Sequence, residues 1–142
     1  MTRRVGRRGA ALAAFGFVDA VVGWSLLDPA TQPRGPLAVS AYRAILAIAP
    51  YHVWAWVWLG VAVVCAVGAC VQQDAVAFGA AIGIKLVWSG GLLTGWLAYH
   101  AYRGWVATAT WLVLAALVAV IAGWPEPSPV VPHMAIPPGR KP

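Results

Sequence analysis

Four long apolar runs dominate this chain, and each is about as long as a helix must be to cross a bilayer. They cover roughly residues 9–27, 51–71, 75–99 and 105–124. At 1.5 Å rise per residue, about 20 residues span a hydrocarbon core of about 30 Å. Of the 142 residues, 61% are hydrophobic and only 10% are charged. A soluble domain of this size carries about 25% charged residues, so this chain has too few polar groups to cover a wetted surface. The expected fold class is all-α: a polytopic membrane protein with four transmembrane helices in one domain, residues 1–124. No length remains for a separate soluble catalytic module.

Aromatic residues mark the edges of the runs. Trp24, Trp54, Trp105 and Trp124 fall near run ends with Tyr51, Tyr99 and Tyr102, as interfacial belts require. Trp56, Trp58, Trp88, Trp96 and Trp111 lie deeper, where they pack between helices or against lipid. Orientation follows from the basic residues. Arg3, Arg4, Arg7 and Arg8 precede the first run, none separates the second from the third, and Arg140 and Lys141 close the tail. Arg34, Arg43 and Arg103 fall on the other side. The positive-inside rule then puts both termini in the cytoplasm of a cell membrane. The first run exceeds the usual apolar core of a signal peptide, and no A-x-A-like site follows it, so a retained signal-anchor helix is expected.

Two further segments complete the outline. Residues 37–49 (LAVSAYRAILAIA) are too short to span. Ser40 and Arg43 share one narrow polar face, which suits a short helix lying in the outer interface between Pro36 and Pro50. The same residues also suit a loop segment packed over the bundle mouth. Residues 125–142 hold seven prolines in PEPSPVVPHMAIPPGRKP. That composition predicts an extended, disordered cytoplasmic tail, open to a cytosolic partner that reads polyproline.

The net charge of +6 sits at ends and loops, where it orients helices and meets anionic headgroups. No basic face on a polar domain exists, so the lipid bilayer and not nucleic acid is the expected partner. Cys65 and Cys70 lie five apart, which on a helix points them about 140° from one another. They read as reduced packing residues. His52, His100 and His133 lack metal-ligand spacing, no nucleotide motif occurs, and no nucleophile–base constellation can be assembled. No cofactor and no enzyme activity are expected.

Two charges interrupt the runs deep inside. Asp19 is the eleventh residue of the first and Lys85 the eleventh of the third. A charge at the bilayer centre costs at least ~2.5–3.5 kcal/mol, so each needs a partner, a wet cavity or a task. With both termini inside, the two runs travel outward together and both charges reach the same depth. They can therefore pair and fix which helix faces meet. The alternatives are a titratable element in a pathway, or two charges that never meet. Small-xxx-small pairs offer close packing, within the chain or between copies: Gly16/Ala20, Gly79/Gly83, Gly91/Gly95 and Ala119/Gly123. The third run, with two such pairs plus Lys85, Ser89 and Thr94, is the expected central helix.

The string SAYRAILAIAPYHVWAWVWLGVAV, with Ser40, Tyr42, Arg43, Pro50, Trp54 and Trp56, resembles small four-helix membrane proteins encoded by phages of actinobacteria. The resemblance extends over about residues 28–111. It implies a membrane context in which some relatives lie near lysis genes. A holin-like or lysis-associated protein acting by oligomerisation is the first functional expectation. A structural or anchoring membrane protein, and a small ion- or proton-handling transporter subunit, are the alternatives.

Overall fold

The computed structural model describes residues 6–32, 36–71, 74–101 and 103–125. Among them the chain forms five helices: α1 (Arg7–Leu27), α2 (Pro36–Ile48), α3 (Tyr51–Cys70), α4 (Ala75–Tyr99) and α5 (Gly104–Ala122). Four of these, all but α2, are long and apolar enough to cross a membrane. The tail beyond Pro125, Tyr102 and the outermost N-terminal arginines lie outside the described residues.

Helix ends follow local chemistry. Asp28 stops α1, with its carboxylate accepting the backbone N–H of Ala30 in a tight turn at 2.8 Å before α1 can pass Pro29. Pro50 starts α3, where a missing N–H costs nothing. Between α4 and α5 the chain reverses through two left-handed residues, His100 (φ 52°) and Arg103 (φ 63°). The N–H of Ala101 returns to the carbonyl of Gly95 at 3.3 Å, the six-to-one bond that closes a helix after a left-handed residue.

Packing follows a seven-residue rhythm. α1 buries Gly9, Leu12, Gly16, Asp19, Gly23 and Leu26, alternating steps of three and four. Glycine fills one heptad position, and Leu12, Asp19 and Leu26 fill the other. Opposite it, α3 buries Ala55, Trp58, Ala62 and Cys65. A Cβ on Gly16 would meet the carbonyl of Ala62 at 3.2 Å, and one on Gly23 would meet that of Ala55 at 3.0 Å. The two backbones therefore approach closely and antiparallel, an arrangement that a heptad of small residues permits.

α4 is the central helix, in contact with each of the other four. On one flank it packs on α5, where Ser89 Oγ donates to the carbonyl of Thr108 at 3.2 Å and Thr108 Oγ1 donates to that of Gly104 at 2.9 Å. On another it carries α2. The exterior of the described helices is apolar, with Phe17, Trp24, Trp56, Val63, Leu97 and Val113 among its most exposed side chains.

Candidate functional site: a buried Asp–Lys pair

Asp19 takes its place from the heptad of α1, and the glycines on either side press that face onto α3. Lys85 arrives from α4. Its ammonium donates to Asp19 Oδ1 at 2.6 Å, and both side chains are 0% exposed. Such a charge-assisted bond at short range is about twice as strong as a neutral one. The depth match between parallel helices is thus a direct contact.

Two aromatic faces enclose the ammonium. It lies 5.6 Å from the ring centroid of Trp58 and 5.9 Å from that of Phe15, within the range of cation–π attraction. The Trp58 ring is itself held between Trp88 (5.6 Å, edge-on) and Trp111 (5.1 Å). Trp88 continues the cluster to Trp54 at 5.5 Å and Tyr42 at 6.0 Å, and Tyr42 reaches Tyr51 at 6.4 Å. Burial pushes the Tyr42 phenol above its ordinary pKa. Asp19 Oδ2 and Trp58 Nε1 are buried without a protein hydrogen-bond partner.

A second ion pair, not foreseen in the sequence, joins the same two helices. Arg8 Nη2 donates to Asp74 Oδ1 at 2.7 Å near the end of the bundle where α1 and α4 begin. The Arg8 guanidinium also covers the Phe78 ring at 5.2 Å. The signal was available. Arg8 precedes Asp19 by the same eleven positions that separate Asp74 from Lys85, so parallel helices that form one pair are in register for the other. Asp74 reads in sequence only as the polar close of a run.

The small-residue pairs divide. Gly16 packs on α3, but with Gly23 as its partner position and not Ala20, which is half-buried on the rim of an open groove between α1 and α3. Gly91 and Gly95 receive α2: a Cβ on Gly91 would strike the Ile45 side chain, and one on Gly95 would strike the backbone carbonyl of Ala41. Gly79 and Gly83 meet nothing within 4 Å. The segment at 37–49 is helical, but its Ile45 is buried against α4, so it is docked on the bundle and does not simply lie along a surface.

The aromatic edge residues divide as well. Trp24, Trp105 and Trp124 are exposed at helix ends, and Tyr99 is partly exposed under the Arg43 guanidinium at 4.9 Å. Trp54 departs from the expected belt: it is 7% exposed and its Nε1 donates to the Ile45 carbonyl at 3.1 Å. Its indole N–H finds that partner only because α2 docks where it does. Tyr51 is half-buried against Tyr42 with its hydroxyl unpartnered.

Chemically, the arrangement neutralises two charges and leaves neither in contact with solvent. Among the described residues no three His, Cys, Asp or Glu side chains gather within reach of one metal ion. No protein-family model matches this chain, and no curated protein or solved structure matches it either.

Proposed function

We propose that this chain is a multi-pass protein of the cytoplasmic membrane, with both termini in the cytoplasm, that acts by self-association in the bilayer as holin-like or lysis-associated proteins do. The observation that supports this reading is the division of its small residues. Those of α1 facing α3, and Gly91 and Gly95 of α4, are consumed inside the chain. Gly79 and Gly83 remain open on α4, and Ala13, Ala20 and Ala66 line the open groove between α1 and α3. In lipid, where apolar burial gives little driving force, such open small-residue faces let a second helix approach.

The enclosed charge pair weighs against the carrier reading. A side chain that handles protons or ions needs water on at least one side, and both Asp19 and Lys85 are fully covered. The polyproline tail would then be a cytosolic regulatory end.

Inducible expression with a membrane-potential dye tests the proposal. Growth arrest and depolarisation are expected once the protein accumulates past a threshold. Gly79→Leu together with Gly83→Leu should delay both without lowering the amount in the membrane. Unchanged potential at high membrane accumulation overturns the reading.

A further inference from the structure

We propose that Asp19, Phe15 and Trp58 form a preorganised binding site for a primary ammonium group, which Lys85 occupies from within the chain. The proposal does not depend on self-association. The three groups that meet the ammonium come from α1 and α3: the carboxylate and one ring from α1, the other ring from α3. The guest comes from α4. The walls are set by contacts that do not involve Lys85. Gly16 and Gly23 fix the approach of α1 to α3, and Trp88 and Trp111 hold the plane of the Trp58 ring.

The chemistry selects the ligand class. A carboxylate oxygen 2.6 Å from the nitrogen requires an N–H donor, which excludes quaternary ammonium ions. Two ring faces at 5.6 and 5.9 Å favour a cation that sheds its water readily. Asp19 Oδ2, buried and unpartnered, leaves a second acceptor that only a guest with more than one N–H can use. A primary ammonium meets all three conditions; sodium and tetramethylammonium do not.

Deleting the guest should therefore leave a fillable site, as a buried cavity of matching shape retains small ligands. Lys85→Ala removes three carbons and the ammonium, the atoms of n-propylammonium. The full chain in detergent micelles is unfolded thermally at about pH 9, where some of the amine is neutral and able to enter the apolar core. Tryptophan fluorescence reports the midpoint. Lys85→Ala should melt below the wild type, and n-propylammonium chloride should raise its midpoint saturably, more than methylammonium does. Sodium chloride and tetramethylammonium chloride at equal ionic strength should not, and adding Asp19→Asn should abolish the rescue. If Lys85→Ala yields no folded protein, the same salts are added during solubilisation and the recovered monodisperse fraction is read instead. Absence of saturable rescue, or rescue that persists without Asp19, overturns the proposal.

A second measurement needs no cavity. Trp58→Leu should lower the midpoint at least twice as far in the wild type as in Asp19→Asn/Lys85→Met. Equal shifts in the two backgrounds would mean that Trp58 is packing alone, and would overturn the site.

Discussion

At position 19 α1 carries an aspartate where its own heptad places leucine, at Leu12 and Leu26. The core there is complete only when the Lys85 side chain is in place against it. Removing one member of a buried pair strands the other, at a cost of about 3–5 kcal/mol. Replacing both by apolar residues of similar volume is often neutral or stabilising. Asp19→Leu and Lys85→Met should thus each lower the melting temperature in micelles sharply, and the double variant should regain most of the loss. Arg8 and Asp74 provide the contrast. Their side chains are 22% and 15% exposed, and a pair that water partly reaches is weaker than an enclosed one and is partly screened by salt. Arg8→Gln should have a smaller effect that shrinks at high salt, whereas the penalty at Asp19 should persist.

At the scale of the helices, spacing alone does not say which partner uses a small-residue pair. Gly79/Gly83 and Gly91/Gly95 look alike in sequence, yet only the second pair receives a helix, and that helix is the short α2. The difference is made by Ile45 and the Ala41 carbonyl of α2, which lie against Gly91 and Gly95. Alanine substitution separates the two pairs. At Gly79 and Gly83 a Cβ meets open space, so helix propensity dominates and each Gly→Ala should stabilise by up to about 1 kcal/mol in micelles. At Gly95 the Cβ would meet backbone that cannot rotate away. Gly95→Ala should lower the melting temperature and raise hydrogen exchange through α2. Equal effects at Gly79 and Gly95 would mean that the second pair does not dock α2.

For the molecule as a whole, four long apolar helices and one central helix were legible because long apolar runs leave few other folds open. The contact of Asp19 with Lys85 was legible because an equal count from the run starts becomes an equal depth once two helices are parallel. The cage around Lys85 was not, since it needs Trp58 turned inward while Trp56, two residues earlier, turns out. Neither was the burial of Trp54, because a tryptophan near a run end suits a lipid headgroup and a docked helix equally well. The glycine heptad was readable at positions 9, 16 and 23, but a search for four-residue spacing passes over it. The proposed orientation has its own handle in the two free thiols, Cys65 buried and Cys70 exposed at the end of α3. A membrane-impermeant maleimide should label Cys70 only after the cells are permeabilised, and labelling in intact cells would reverse the topology.

The distance along the chain between Asp19 and Lys85 also sets a timetable. They are 66 positions apart, and translation at about 5–20 residues per second puts roughly 3–13 s between their syntheses. Throughout that interval the nascent chain holds an acid with no base to meet it. Asp19 has no buried counter-charge until α4 leaves the ribosome, so α1 reaches its final packing only after the third long helix is made. A chain whose synthesis halts before α4 is left with that carboxyl group unpaired in its first long helix.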